Sequence, residues 1–301
     1  MITKHNISGI ILLNKPLLLS SNVALQKVKR LFKAAKAGHT GSLDPLATGM
    51  LPICLGEATK FSQYDLESDK TYIATGHLGI KTATGDAAGE VLATRTVPIF
   101  TSDDIQNTLN EFHGETLQVP SMFSALKYQG RPLYDYARKG ITIDRAARCI
   151  SIKTLELLQF TRDKFEIRVT CSKGTYIRNL VEDIGEKLGC GAHVSALHRL
   201  STASYSNQSM YTLEELEAMD LQSLYQCVLS IDMPVQHFPF INLTDRQHTD
   251  LRQGKVIVMP EQGVPGQVVR LYDGAKGFLG LGLWDSTHIV RAKRLLSFTC
   301  E

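Results

Sequence analysis

Not one Asp or Glu occurs in the first 43 residues of this 301-residue chain, although seven Lys and Arg do: Lys4, Lys15, Lys27, Lys29, Arg30, Lys33 and Lys36. The rest carries 26 basic against 30 acidic residues, so the formal charge of +3 is local rather than spread. That suits a protein with one polyanion-facing surface better than a uniformly basic one. No apolar run approaches the ~20 residues of a membrane span. No cationic stretch leads into an apolar signal core with a cleavage site. A cytoplasmic location is the expectation. The six cysteines (Cys54, Cys149, Cys171, Cys190, Cys227 and Cys300) form no Cys-x-x-Cys pair. That argues against structural zinc and against a disulfide framework. They are expected to be small buried hydrophobes in a reducing compartment. Internal repeats and low-complexity segments are absent as well, and the length suffices for one large or two ordinary domains.

The first carboxylate is Asp44, inside Gly38-His39-Thr40-Gly41-Ser42-Leu43-Asp44-Pro45-Leu46-Ala47-Thr48-Gly49. Glycines permit tight or left-handed backbone, and the following Pro45 holds Asp44 out of the helical region. From composition alone this string is either a surface loop with an Asx-turn or a site.

Residues 22–35 read as an amphipathic helix ended by Gly38. Ala24, Val28, Leu31, Phe32 and Ala35 share one face, and Lys29, Arg30, Lys33 and Lys36 share another. With no acid among them, the cations are expected to face phosphates rather than form a mixed solvated surface. Ile10–Leu13 reads as a buried strand and residues 71–79 as another, while residues 164–172 alternate strictly. Ile177, Leu180, Val181, Ile184 and Leu188 then recur at helical spacing, which puts Gly174-Thr175-Tyr176 at a strand-to-helix junction. Residues 102–112 and 212–219 read as further helices, the latter opening on a capping box. Residues 232–243, with Pro234 and Pro239, read as a connector. Beyond it, a helix over 244–253 and strands over 256–259, 267–272, 278–284 and 288–293, with a turn at Asp273-Gly274, describe a small β-rich module.

Five blocks, in order over residues 8–210, resemble the TruB family of tRNA pseudouridine synthases. They are Leu12-Leu13-Asn14-Lys15-Pro16 through Ser20-Ser21-Asn22; the Asp44 loop with Met50 to Lys60; and Asp69-Lys70-Thr71-Tyr72. The fourth is Val119 to Lys127 with Gly130, Tyr134, Ala137 and Arg138. The fifth is Cys171 to Arg178 followed by Gly191 to Leu197. The chain departs from the family pattern at Leu18, where Gly is usual and the turn must be built differently. It departs also at Ser121-Met122-Phe123 and at His198, none of which is expected to touch the Asp, Tyr or Arg positions.

The resemblance implies an α+β architecture: a pseudouridine synthase catalytic domain (1–235) with a mixed, largely antiparallel sheet flanked by helices, then a small β-rich, PUA-like RNA-binding domain (236–301). It implies isomerisation of uridine to pseudouridine at position 55 of the tRNA T-loop, with an accompanying tRNA-folding activity, no cofactor and no metal. Asp44 would be the catalytic nucleophile or ribose-deprotonating base. Arg178 would pair with it through a two-pronged contact and lower its pKa, although by spacing alone Arg178 could equally pair with Glu182. Tyr72 would stack on the extruded uracil and relay the C5 proton, Tyr176 would pack against the Asp44–Arg178 pair, and Leu197 would wall the base. As residues, both tyrosines could as well be core or rim. His39 would fill the gap left by the extruded nucleotide. The implied partner is tRNA, through its T-arm and, at the C-terminal module, its acceptor stem. No membrane and no protein partner is implied, and a monomer is expected. Two other readings are an RNA-binding or RNA-remodelling protein that does not need Asp44, and a nucleoside or glycoside hydrolase, which would need a second acid across the scissile bond.

Overall fold

Along residues 164–171, Phe165, Ile167, Val169 and Cys171 are buried while Lys164 and Arg168 are exposed, the period-two burial of a strand with one face on a core. The chain then turns into a helix that buries Ile177, Leu180, Val181 and Ile184 on the same side. This unit lies at the centre of the protein, which a computed structural model describes for residues 6–274 and 277–297.

The strands are β1 (Gly9–Lys15), β2 (Ala37–His39), β3 (Ala47–Leu55), β4 (Lys70–Leu78), β5 (Ile80–Thr82), β6 (Val91–Thr94), β7 (Gly114–Gln118), β8 (Lys127–Tyr128) and β9 (Arg131–Pro132). They continue with β10 (Arg148–Phe160), β11 (Lys164–Cys171), β12 (Ala192–Thr202), β13 (Phe240–Leu243), β14 (Ile257–Val258), β15 (Val268–Asp273), β16 (Gly277–Ser286) and β17 (Ile289–Leu295). Among the described residues, eight form one sheet in the order β1-β3-β12-β4-β11-β10-β7, with β2 on β3. Only β3 and β12 run parallel there, so the sheet is mixed and largely antiparallel, as expected. Helices α1 (Ser21–Leu31), α2 (Ser62–Leu66), α3 (Ser102–Asn110), α4 (Leu133–Ala137), α5 (Ile177–Lys187), α6 (Leu213–Ala218), α7 (Leu221–Gln226) and α8 (Asp245–Arg252) complete the chain. The main core lies between one sheet face and α1, α3 and α5. On the other face, Ile10, Leu12, Met50 and Cys54 pack with Tyr205. The capping box expected before α6 is formed by Thr212 and Glu215.

Helix α1 ends earlier than the pattern suggests. Lys33 turns left-handed (φ 47°), its N–H bonds to Arg30 O at 3.1 Å, and that of Ala34 bonds to Lys29 O at 3.0 Å. This paired closure is a Schellman stop with Lys at the usual glycine position. Gly38 therefore does not end the helix but lies in β2, and the reversal buries Ala34 while leaving Ala35 exposed. Cys54, Cys171, Cys190 and Cys227 are buried as expected; Cys149 is exposed, on the β10 end beside edge strand β7, and Cys300 lies outside the described residues. No helix among the described residues is long and apolar enough to cross a membrane.

The turn at Leu18 is not rebuilt to suit a side chain. Leu18 itself adopts the left-handed conformation (φ 66°), 79% exposed, and donates its N–H to Pro45 O at 2.8 Å. That conformation costs an L-residue about 1–2 kcal/mol, against roughly 0.5–1 kcal/mol of extra unfolded-chain entropy for glycine. Leu18→Gly is therefore expected to stabilise the protein by roughly 0.5–1 kcal/mol in urea denaturation; a destabilised variant would show that the exposed side chain contributes contacts.

Beyond residue 231 the expected connector is only partly irregular. A single 3-10 turn (Met233–Val235) is followed by β13, which pairs parallel with β15 because Pro239 O accepts the Arg270 N–H at 2.8 Å. The second sheet has the order β13-β15-β16-β17-β14 around Leu251, Leu271, Leu279 and Trp284. The expected turn at Asp273-Gly274 leaves β15 there, and residues 275–276 lie outside the description. This sheet rests on α2: Phe61 meets Phe278 edge-to-face at 5.3 Å, and Tyr64 meets Phe238 at 5.4 Å.

Candidate active site

The Asp44 loop joins β2 to β3 and is held at several points. Ser21, the first residue of α1, accepts the Leu43 N–H (2.8 Å) and donates to Leu43 O (2.9 Å), while the Ala47 N–H closes a turn onto Asp44 O at 3.0 Å. Gly49 has φ 97°, and a Cβ there would lie 2.3 Å from Arg199 O, so only glycine lets β3 approach β12 this closely. The Asp44 carboxylate points across the loop to Arg178, whose Nε lies 2.8 Å from Oδ2.

Arg178 sits in the first turn of α5, and its side chain is 6% exposed. Glu182, the alternative partner by spacing, pairs instead with Lys81 at 2.8 Å. The contact with Asp44 is not two-pronged. Nη1 donates to Thr84 O and Nη2 to Phe123 O, each at 2.8 Å, so the guanidinium spends its fork on two loop carbonyls and offers only Nε to the carboxylate. Phe123, one of the departures from the family pattern, thus does touch this arginine, but through its backbone. A second carboxylate, Asp86, lies 3.8 Å from Nε and is itself held by Thr84 Oγ1 (2.6 Å) and the Ala88 N–H (3.1 Å).

These surroundings reverse the expected titration of Asp44. Partial desolvation by the surrounding protein raises its pKa although the side chain remains 41% exposed, and Asp86 adds to the rise; Arg178 and Lys15 oppose it without overcoming it. The ion pair keeps the carboxylate usable, but does not make it a stronger acid than in water.

A cavity of about 670 Å³ opens over Asp44 and brings Tyr72, Tyr176, Arg178 and Leu197 together. Tyr72 (β4) faces Arg199 directly across the β4–β12 pairing; burial raises its phenol pKa, and the charge of Arg199 opposes the rise. Tyr176 caps the N-terminus of α5, with its backbone gripped by Gln118: N–H to Oε1 at 2.7 Å and O from Nε2 at 3.1 Å. Leu197 forms an apolar wall shared with a second cavity of about 600 Å³ lined by Leu17, Leu18, Pro45, Leu46 and Ile73. His39 is not among the residues lining the Asp44 cavity. It ends β2, with Nδ1 buried and unpartnered among the described residues, and its pKa is lowered by burial and then by Arg199.

Two basic residues matter more here than their sequence positions suggest. Arg199, 1% exposed, lines the cavity and donates from Nε to Met50 O (2.6 Å) and from Nη2 to Gly41 O (2.9 Å), tying both ends of the Asp44 loop to β12. Lys15 is fully buried, with Nζ on Pro16 O (2.8 Å) and Leu19 O (2.7 Å), and burial pushes its pKa down to about 8. Lys15 lay within a matching block, but Arg199 and Asp86 carried no spacing signal. Asp44 is the only carboxylate among the described residues lining the cavity, and the buried cations around it suit an anionic ligand.

A carboxylate on a loop beside a mixed sheet, facing tyrosines and a buried arginine, with a β-rich module behind, is the architecture of a pseudouridine synthase. The fold aligns over 97% of this chain and 86% of a chain in the crystal structure of the archaeal box H/ACA sRNP Nop10–Cbf5 complex (TM-score 0.71, 23% identity). It aligns equally with a chain of an H/ACA RNP bound to a substrate RNA containing 2′-deoxyuridine (TM-score 0.72, 22% identity, 96% and 85% covered). Residues 29–177 match the TruB family pseudouridylate synthase N-terminal domain, residues 178–236 the tRNA pseudouridylate synthase B C-terminal domain, and residues 239–296 the pseudouridine synthase II TruB C-terminal domain. The tRNA pseudouridine synthase B of Legionella pneumophila (strain Lens) is 52% identical over 296 residues, 98% of each chain. That of Marinomonas sp. (strain MWYL1) is 52% identical over 282 residues, 92% of each. The chain belongs to the TruB family of pseudouridylate synthases.

Proposed function

We infer that this chain isomerises uridine to pseudouridine in the T-loop of tRNA, at position 55, with Asp44 as its catalytic carboxylate. The observation that carries this reading is a single carboxylate facing a cavity of tyrosines, leucine and buried cations. The reaction breaks the bond from C1′ to N1, turns the uracil and rejoins C1′ to C5. Atoms and electrons balance within one nucleotide, so the chemistry requires an oxygen nucleophile or base, a route for the C5 proton and a closed pocket. Asp44 supplies the oxygen, Arg178 aims it, Tyr72 and Leu197 enclose the uracil, and Tyr176 packs against the ion pair. The hydrolase reading finds no second acid among the described residues lining the cavity: Asp86 is 6% exposed, bound to Thr84 and Ala88, and does not line it.

The basic end of α1 faces the RNA in this reading. Arg30, Lys33 and Lys36 are exposed, with no carboxylate within ion-pair distance among the described residues. The module from residue 236 on is read as a PUA-type RNA-docking domain following a catalytic domain of residues 1–235. It would use exposed Lys293 and Arg294, with Arg291 already shared with Asp285 at 3.1 Å, to reach the acceptor stem. We further expect a cytoplasmic monomer with an accompanying tRNA-folding activity. Incubation with an unmodified tRNA transcript, followed by chemical adduct mapping, should place pseudouridine at the T-loop uridine without free base. Released uracil would establish the hydrolase, and binding without either product the remodelling protein.

His39 sits two residues before Gly41, its Nδ1 unpartnered among the described residues. As a stacking plug, it would offset part of the few kcal/mol needed to extrude a base. His39→Ala is expected to slow modification of a structured T-arm more than that of an unpaired T-loop; equal losses on both RNAs would place His39 in the chemical step.

A further inference from the structure

Asp65, on α2, is fully buried and takes no part in the chemistry above. Its Oδ2 accepts the hydroxyl of Thr40, itself 1% exposed and four residues before Asp44, and its Oδ1 accepts the hydroxyl of Thr202 at 3.3 Å. Thr202 ends β12, the strand that supplies Leu197 and Arg199 to the cavity. A single carboxylate thus joins the entry of the Asp44 loop to the end of the strand that carries Leu197 and Arg199, a second tie beside the one Arg199 itself makes. Its mounting is firm on both sides. Lys70 Nζ caps the C-terminus of α2, donating to Asp65 O (3.1 Å), Leu66 O (2.9 Å) and Ser68 O, and both Lys70 and Leu66 line the cavity. On the outer side, α2 is clamped by the C-terminal module through the Phe61–Phe278 and Tyr64–Phe238 contacts.

A buried carboxylate is expensive to desolvate, and an apolar residue of similar size would fill the space without that cost. What an apolar residue could not do is hold two hydroxyls on different strands at fixed separation. We propose that Asp65 is a positioning residue of the active site, setting the distance between the Asp44 loop and the Leu197–Arg199 wall through Thr40 and Thr202. This rests on the reading of the cavity as a uridine isomerase site. An amide at position 65 has one acceptor oxygen, so Asp65→Asn forces one of the two hydroxyls to accept from the amide N–H instead of donating, and leaves that hydroxyl's own hydrogen without its acceptor. Thr40→Val removes the loop's link while keeping its shape, and Thr40→Ser keeps the link.

The test uses the full chain, with enzyme in excess over an isolated T-arm hairpin, so that one turnover is read directly. Asp65→Asn and Thr40→Val are expected to lower the single-turnover rate roughly 10- to 100-fold, the effect of a misplaced reactive group, with unchanged hairpin affinity. Thr40→Ser should turn over within a few-fold of wild type, and the double variant Asp65→Asn/Thr40→Val should lose less than the product of the two single losses, since both weaken one brace. Thermal melting fixes a temperature at which every variant is folded; where Asp65→Asn does not fold, Thr40→Val and Thr40→Ser carry the comparison. Wild-type rates in Asp65→Asn or Thr40→Val, a loss confined to affinity, or additive losses in the double variant would overturn the proposal. Failure of the wild-type protein to form pseudouridine in the hairpin would instead count against the activity itself.

Discussion

Asp44→Asn should remove turnover by roughly three or more orders of magnitude while leaving the RNA bound, the outcome for loss of an essential nucleophile or base. The amide keeps an acceptor 2.8 Å from Arg178 Nε, and the loop is held independently by Ser21 and Arg199. The variant therefore changes the chemistry of one atom and little of the geometry. Breaking a fully buried ion pair costs about 3–5 kcal/mol. Here the loss should be smaller, because the Asp44 side chain is 41% exposed and Asp86 remains beside Arg178. In the proposed reading the phosphates are met by the exposed cations at the end of α1, away from Asp44, so binding to a T-arm should persist. Single-turnover assays with a parallel binding measurement separate the two quantities. A variant keeping more than about a tenth of the wild-type rate would remove Asp44 from the role assigned to it, since loss of a catalytic nucleophile or base is far costlier.

The second large effect is expected at Arg178. Lysine would keep the charge but place all its donors on one atom, whereas the guanidinium reaches Thr84 O, Phe123 O and Asp44 from three separate nitrogens. Arg178→Lys should therefore lose about 100-fold in rate through misplacement of the carboxylate, and Arg178→Met should lose more. The methionine variant also predicts a signed change with pH. In the proposed role the ionised carboxylate is the active form, and desolvation with Asp86 already raises the Asp44 pKa against the pull of Arg178. Without that pull the pKa rises further, so the acid limb of the rate profile should move to higher pH and part of the loss should be recovered on the alkaline side. A normal rate for the lysine variant would show that charge alone suffices. An acid limb that stays put or moves down in the methionine variant would refute the electrostatic part.

Much of this was legible because local rules carry it. Alternation over residues 164–171 and the 3.6-residue spacing after Tyr176 depend only on which face of an element meets the core, so β11 and α5 were readable without partners. The lone acid in a glycine-rich loop after a cationic helix, with five ordered blocks of family resemblance, pointed to Asp44, Tyr72, Tyr176, Arg178 and Leu197, and the fold does bring these five to one cavity.

What the chain by itself determined, then, is part of the set of elements (β1, β4, β11, α5 and much of the C-terminal module), the family and the identity of the central carboxylate, since each follows from short-range pattern. Strands β3, β10 and β12 were not legible in this way. Tertiary structure decided the rest, because it turns on distances between residues far apart in sequence. It assigned the Arg178 fork to two carbonyls rather than to Asp44, and brought Asp86 beside that pair from a loop without a motif. It made Arg199 a brace by the parallel approach of β12 to β3, and let burial outweigh the ion pair in setting the Asp44 pKa. Desolvation is a property of everything packed around a group, and no window of sequence contains it.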